Sequence, residues 1–339
     1  MPNALLHAFP VLEPRLRWMP LGNFPTPVER LPALDAWVKR DDRSGHLYGG
    51  NKVRKLEFLL ADAIGRGAHR VVTMGAFGSH HLLATTLYAR REGLEVCGLV
   101  FPQPATQETR DTLLLSAGAG ACLHPIGNLA GTPFAMATAA WKHRADARIF
   151  IPPGGSSPLG SLGYVAAALE LAEQVRAGVL PRPDAIYVPF GSGGTAAGLT
   201  IGLRLAGLDR TRVFAVRVFD RLFANAHLLA RLARRTAAML RAIGGPDVGH
   251  FRASDFQVLH DQFGAGYGRV TPAARSALAL AAGWGIQVDT TYSAKALAAM
   301  LARLPGDRSL FWSTLSSTAL GDLSRAPLRT LPATVRRML

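Results

Sequence analysis

Six short apolar runs recur along the chain, and longer stretches with alanine and leucine at helical spacing separate them. The runs are RVVTMGA (70–76), EVCGLVF (95–101), ARIFIP (147–152), AIYVPF (185–190), VFAVRVF (213–219) and SLFWST (309–314). The clearest helical stretches are SLGYVAAALELAEQV (161–175) and AKALAAMLARL (294–304). A strand that is apolar throughout has both faces buried, and strand–helix–strand alternation covers a parallel sheet in that way. The expected class is therefore α/β: two doubly wound, mostly parallel open-sheet subdomains. A ligand is expected in the cleft between them, because loops beyond the carboxyl ends of such strands form binding sites. Breaks fall at 127–135, 151–160 and 178–184, and none is long enough to be a flexible linker.

Composition narrows the class of function. A net charge of +15 raises the question of nucleic acid, but the arginines are scattered and no run of five or six basic residues occurs. No nucleic-acid partner is expected. No apolar run reaches transmembrane length, and the first residues, MPNALLHAFPVLEPRLRW, lack the pattern of a secretory signal. The two cysteines, Cys97 and Cys122, lie in apolar surroundings, which argues for a reducing compartment and against a thiolate metal site. The expectation is a cytoplasmic protein with no membrane contact and no metal.

Three loops carry candidate chemistry. GGNKVRKLEF (49–58) sets Lys52 and Lys55 at the start of an amphipathic helix, where the helix field disfavours a cation by up to about 1 kcal/mol. Only five of the 38 basic residues are lysines, so two within four positions stand out. VPFGSGGTAAGL (188–199) passes from strand through glycines to helix, and Gly191, Ser192, Gly193, Gly194 and Thr195 offer backbone and hydroxyl donors to an anion. Gly191, Gly193 and Ala196 also satisfy G-x-G-x-x-A, with Asp220 as a possible ribose contact, so a dinucleotide and a monophosphate both fit this loop. TMGAFGSHHLLA (73–84) puts Ser79, His80 and His81 at a helix start; Ser79 is a natural N-cap, and no G-x-S-x-G elbow is present. A lysine, a phosphate-type loop and a polar serine–histidine loop are together what pyridoxal 5'-phosphate requires.

The chain resembles the 1-aminocyclopropane-1-carboxylate (ACC) deaminase and D-cysteine desulfhydrase family, among the tryptophan-synthase-β-like, fold-type II pyridoxal phosphate enzymes. The resemblance is carried by LGNFPTPVERLPAL (21–34), VKRDDRSGHLYGGNKVRKLE (38–57), Gly78-Ser79, IPPGGSSPLGSLGYV (151–165), FGSGGTAAGL (190–199), GAGYG (264–268) and VDTTYSAKA (288–296). It implies that Lys52 bonds covalently to the cofactor and that Lys55 and Gly191 to Thr195 hold its phosphate. Ser79 would contact the substrate carboxylate or assist proton transfer, and Tyr267 and Tyr292 would line the substrate site. A homodimer is implied as well. The accompanying domain reading is a large domain of 1–49 and 162–339, with the phosphate loop and the C-terminal loop, and a small domain of 50–161, with Lys52, Ser79 and His80.

Departures from the family pattern bear on the reaction. His80 stands where the family has an asparagine at the ring hydroxyl, and Ser293 where the cyclopropane deaminases have a glutamate near the ring nitrogen. STLS (313–316) replaces His-Thr-Gly-Gly, with Thr314 keeping the threonine. A hydroxyl at Ser293 or Thr314 cannot supply the charge a carboxylate supplies, which favours loss of a β leaving group over ring opening. The expected function is a lyase or deaminase that acts on a small amino acid and yields a keto acid and ammonia. Ring opening, β-replacement and a non-catalytic cofactor-binding protein are the alternatives.

Overall fold

The computed structural model describes residues 3–32, 34–126, 148–304, 308–321 and 323–336. The expected break at 127–135 and the first residue of the run at 147–152 lie outside them. The chain divides into two compact units: Met1–Phe58 with Ser156–Thr318, and Leu59–Gly155 with Ala319–Leu339.

The larger unit is built on a six-stranded sheet. Its strands are β1 (Val28–Arg30), β2 (Ala36–Lys39), β7 (Ala185–Phe190), β8 (Arg212–Arg217), β9 (Gln257–Leu259) and β10 (Ser309–Trp312), in the order β1-β2-β10-β7-β8-β9. Only β1 and β2 pair antiparallel; every other neighbouring pair is parallel. Strand β7 shows why its sequence is apolar at nearly every position. Ile186, Val188 and Phe190 join a core with helices α5 (Pro158–Arg176), α6 (Gly194–Leu205) and α7 (Ala226–Ala242). Ala185 and Tyr187 join a second core with α8 (Pro272–Gly283) and α9 (Ser293–Leu301). Residues i and i+2 share a face, so a strand covered by helices on both sides needs apolar residues in both sets. A short helix, α1 (Ala4–Ala8), also contributes Leu5 and Leu6 to the first core.

The smaller unit holds a four-stranded, all-parallel sheet of β3 (Arg70–Ala76), β4 (Glu95–Phe101), β5 (Ala121–Pro125) and β6 (Arg148–Ile151), in the order β5-β4-β3-β6. Helices α3 (His80–Arg91) and α4 (Gln107–Gly118) follow β3 and β4. The last helix, α10 (Ala333–Arg336), packs on β5. Helix α2 (Lys52–Gly65) contains the unit division, after Phe58. The expected boundaries at 49/50 and 161/162 differ from this division. Lys52 falls in the larger unit, and residues 319–339, expected in the large domain, group with the smaller one.

The α/β class and the parallel sheets agree with the expectation. Four strands did not stand out in the sequence, each for a local reason. β5 alternates buried and exposed residues at a sheet edge, and β1 and β9 are three-residue edge strands with little buried surface. β2 ends on a fully buried lysine, Lys39, whose charge breaks the apolar pattern. Among the described residues no helix is long and apolar enough to cross a membrane.

Candidate active site

Helix α2 opens on a tightly tethered turn. Gly50 has φ 85°, and a Cβ there would meet Thr314 O at 2.6 Å, so the left-handed backbone and the contact both require glycine. Asn51 N donates to Thr314 O at 3.1 Å, and Asn51 Nδ2 donates to Thr195 Oγ1 at 3.2 Å. Its side-chain oxygen, Oδ1, accepts from Lys52 Nζ at 2.5 Å. Lys52 is half-buried; burial of the ammonium lowers its pKa to about 8, against a smaller opposing pull from Asp289. Lys55 is buried, and burial together with the nearby Lys52 charge holds its pKa well below the usual lysine value.

Between these two lysines, Arg54 clamps the helix to the sheet. Its Nε and Nη2 donate to Asp41 at 2.9 and 2.8 Å, and its Nη1 and Nη2 donate to Glu170 at 2.8 and 3.0 Å. Lys39 Nζ donates to the same Glu170, while Trp312 Nε1 and the Tyr164 hydroxyl donate to Asp41 at 2.7 Å each. Burial pushes both carboxyls up most strongly, but the charge and hydrogen bonds of Arg54, joined by the Lys39 charge, together leave both lowered. The first turn of α2 is therefore set by ionised partners on β2's carboxyl end and on α5.

The glycine loop meets this turn. Gly193 has φ 89°, and a Cβ on it would meet Leu229 Cδ2 at 2.8 Å. No side chain of Gly193 can cap α6, so the amides of its first turn depend on other partners. One is Ser156, whose Oγ accepts from Gly194 N at 2.9 Å and shares a 2.8 Å hydrogen bond with Ser192 Oγ. A Cβ built on Gly194 would stand 3.1 Å from Lys55 Nζ, so the loop, two serine hydroxyls and an ammonium converge on one small space. Asp220, the alternative ribose contact, has its Oδ1 accepting from Leu222 N at 2.8 Å within its own turn.

Two tyrosines complete the constellation. The hydroxyls of Tyr267 and Tyr292 lie 2.5 Å apart, and Phe219 packs edge-on to Tyr267 at 4.9 Å. A Cβ on Gly191 would meet Tyr292 Cε1 at 3.3 Å, which puts the tyrosine pair beside the glycine loop. Burial pushes Tyr267 up to about 12 and raises Tyr292 well above its usual value, so both are neutral hydroxyls near pH 7. Ser293 Oγ donates to Asp289 Oδ2 at 2.7 Å and accepts from Asp289 N at 2.8 Å. Its one hydrogen is thus committed within the protein, whereas the fully buried Ser313 Oγ has no hydrogen-bond partner among the described residues. Lys52, Lys55, Gly191 to Thr195, Tyr267, Tyr292, Ser293 and Thr314 all belong to the larger unit.

Ser79 and His80 belong to the smaller unit. Ser79 caps α3, its Oγ accepting from Leu82 N at 3.2 Å, which leaves its own hydrogen available. His80 Nε2 lies 3.6 Å from Glu108 Oε1. His81 turns inward to a buried position and pairs through Nε2 with Thr73 Oγ1 at 2.9 Å. Thr73 gives its own hydrogen to Ile151 O, so His81 Nε2 is the donor there. Four residues of the site were not singled out in the sequence: Asn51, Ser156, Asp289 and Ser313. Asn51, Ser156 and Asp289 stand inside segments that carry the family resemblance and Ser313 in the STLS segment that departs from it, but only contacts in the fold reveal what each does.

An anion cradle, a lysine of lowered proton affinity beside it, buried hydroxyls and parallel sheets together define a pyridoxal-phosphate enzyme of the tryptophan-synthase-β-like class. A profile of the pyridoxal-phosphate dependent enzymes matches residues 19–314. Nocardicin C-9' epimerase of Nocardia uniformis subsp. tsuyamanensis is 36% identical over 321 residues, covering 90% of this chain and 94% of that protein. D-cysteine desulfhydrase of Salmonella schwarzengrund is 33% identical over 314 residues, covering 89% and 90%. A solved structure of an ACC deaminase homologue superposes with a TM-score of 0.76 at 27% identity, over 94% of this chain and 97% of that one. The chain belongs to the ACC deaminase and D-cysteine desulfhydrase family, and its cofactor is pyridoxal 5'-phosphate. The residues present fit that group: the Gly194 cradle suits a phosphate, and the orphaned Ser313 hydroxyl is a buried donor that a ring atom would satisfy.

Proposed function

We propose that the protein removes the α-proton of a small amino acid and expels a β leaving group, and that water hydrolyses the released unsaturated amine to a keto acid and ammonia. The observation that carries this reading is Lys52. It is a half-buried lysine with its pKa lowered to about 8, tethered by Asn51 next to the glycine loop and the tyrosine pair. A lysine near neutrality holds enough free amine at pH 7 to 8 to act as a general base, and it returns the proton when protonated. When bound, the cofactor supplies an electron sink for the charge that develops at the substrate's α-carbon. Lys55, Ser156, Ser192 and the α6 amides hold its phosphate; Asn51 orients Lys52. Tyr267 and Tyr292, neutral and buried, donate hydrogen bonds to the departing group or to the substrate carboxylate. Ser79, with its hydrogen free, is proposed to hold the substrate carboxylate, and His80 to donate to the ring hydroxyl. With neutral hydroxyls at Ser293, Ser313 and Thr314, no carboxylate of the cyclopropane-deaminase kind stands at position 293, which weighs against ring opening.

A second reading, epimerisation, is favoured by two observations. One is the 36% identity to an epimerase. The other is the tyrosine pair, a second proton carrier besides Lys52. One experiment separates the readings: incubate the enzyme with D-cysteine, other β-substituted amino acids and amino acids lacking a leaving group, in D2O. Elimination releases ammonia and keto acid. Epimerisation gives the opposite stereoisomer with deuterium at the α-carbon and no ammonia. Neither product with any substrate, from a chain that carries the cofactor, would overturn both and favour a non-catalytic cofactor-binding role. The homodimer is proposed from the family resemblance, and the cytoplasmic placement from the two cysteines and the absence of a secretory-signal pattern in the first residues.

A further inference from the structure

Arg217 ends β8, in register with Phe190, the last residue of β7 before the glycine loop. It is buried, and a buried cation is costly unless its donors find acceptors. Here the groups that receive it are neutral. Nε donates to His260 Nδ1 at 2.9 Å, and Nη1 donates to Phe219 O at 2.9 Å. The guanidinium carbon lies 4.0 Å from the centre of the Phe263 ring. A guanidinium offers only donors, so His260 Nδ1 is the acceptor and a neutral His260 carries its hydrogen on Nε2.

Two of these contacts lead to Tyr267. Phe219 packs edge-on against the Tyr267 ring at 4.9 Å. Phe263 starts the stretch Phe263-Gly264-Ala265-Gly266-Tyr267, in which Gly264 has φ 64° and Gly266 φ 144°. Glycine loses more freedom on ordering than any other residue, so such a stretch depends on fixed ends. One end is fixed twice: Arg217 covers the Phe263 ring, and Lys295 Nζ donates to Phe263 O at 3.1 Å. Lys295 stands on α9, whose N-cap is Tyr292, and the Tyr292 hydroxyl lies 2.5 Å from that of Tyr267. The contacts close a circuit. It runs from Arg217 through Phe219 to Tyr267 and Tyr292, then along α9 through Lys295 to Phe263 and back to Arg217.

We infer that Arg217 is a positioning residue for the proposed reaction: by holding Phe219 and Phe263 at once, it sets where the Tyr267 hydroxyl stands against Tyr292. The inference rests on Tyr267 as part of the proposed substrate site. A lysine could not do the same work, because one ammonium cannot serve a ring nitrogen, a carbonyl and an aromatic face together.

The test reads tyrosine accessibility in the full-length chain with pyridoxal 5'-phosphate present. N-acetylimidazole acetylates accessible tyrosine hydroxyls, and mass spectrometry assigns the label among the six tyrosines. In Arg217→Met, Tyr267 is expected to be labelled about tenfold faster than in the wild type, because its segment opens locally more often. Tyr48, Tyr88, Tyr164 and Tyr187, all buried, are expected to keep their wild-type rates. Arg217→Lys is expected to behave like Arg217→Met. Unchanged labelling of Tyr267 overturns the inference. A rise shared by all six tyrosines also overturns it, since Arg217 would then be a general stabiliser of the fold. If Arg217→Met does not fold, Phe263→Leu carries the test. It removes the ring under the guanidinium, Tyr267 labelling is expected to rise, and an unchanged rate overturns the inference. The kinetic arm is a double-mutant cycle: Arg217→Met is expected to lower kcat in the wild-type background and to lower it no further in Tyr267→Phe. Equal losses in both backgrounds overturn the inference. A wild-type chain without turnover on any substrate would overturn the proposed function instead, and would leave the labelling result readable.

Discussion

Asn51 ties the base to the glycine loop through its side chain, which meets Lys52 and Thr195, and to the segment after β10 through its backbone amide, which donates to Thr314 O. Lys52 itself is tested by Lys52→Ala, which is expected to lower turnover by on the order of a thousandfold or more, read as product release at saturating substrate. Ser313 gives a prediction whose sign depends on the cofactor. A buried hydroxyl without a partner costs about 1–3 kcal/mol, so Ser313→Ala is expected to stabilise the cofactor-free chain by roughly 1 kcal/mol or more. The same variant is expected to bind pyridoxal 5'-phosphate more weakly. Denaturant melts without cofactor and a cofactor titration measure the two effects, and a destabilised cofactor-free variant would show that the hydroxyl is already satisfied.

At the scale of the element, the clamp on α2 is the feature with most energy at stake. Arg54→Ala removes a cation from both buried carboxylates, Asp41 and Glu170, leaving Lys39 paired with Glu170, and breaking a buried pair in this way costs about 3–5 kcal/mol. Urea unfolding is expected to show a loss of that order, with cofactor uptake impaired because Lys52 and Lys55 share the clamped turn. Glu57, later on the same helix, behaves differently. Burial raises its pKa to about 7, although Trp18 Nε1 and the amides of Leu21 and Gly22 donate to it. A carboxyl with a raised pKa binds more protons folded than unfolded between its ordinary value and about 7. Its contribution to stability therefore falls as pH rises through that window. Glu57→Gln is expected to remove this slope, seen as a flatter melting temperature between pH 4.5 and 7 than in the wild type.

The whole molecule is two α/β units, the larger of which carries the lysines, the glycine loop and both tyrosines. Because the cofactor binds only a folded site, it is expected to raise the melting temperature in a concentration-dependent way. The gain is about 2.7 kcal/mol when its free concentration is a hundredfold above its dissociation constant. Lys52→Ala is expected to shrink that gain, as differential scanning calorimetry with and without pyridoxal 5'-phosphate would show. An equal gain in the variant would mean that Lys52 forms no bond to the cofactor.

Much of this was legible without the fold. The apolar runs at 70–76, 95–101 and 185–190 coincide with β3, β4 and β7, because a strand buried on both faces has to be apolar along its length. Lys52 and the glycines of 191–194 also declared themselves, since a cation at a helix start and a left-handed turn before a helix are local departures from what a chain prefers. What tertiary structure alone decided concerns partners far apart in sequence. Lys39 reads as a surface charge until Glu170 is beside it, and Ser156 as a loop residue until it meets Gly194. Sequence records the preferences of each short segment. The energy of a buried charge or hydroxyl is settled by whatever the fold places against it.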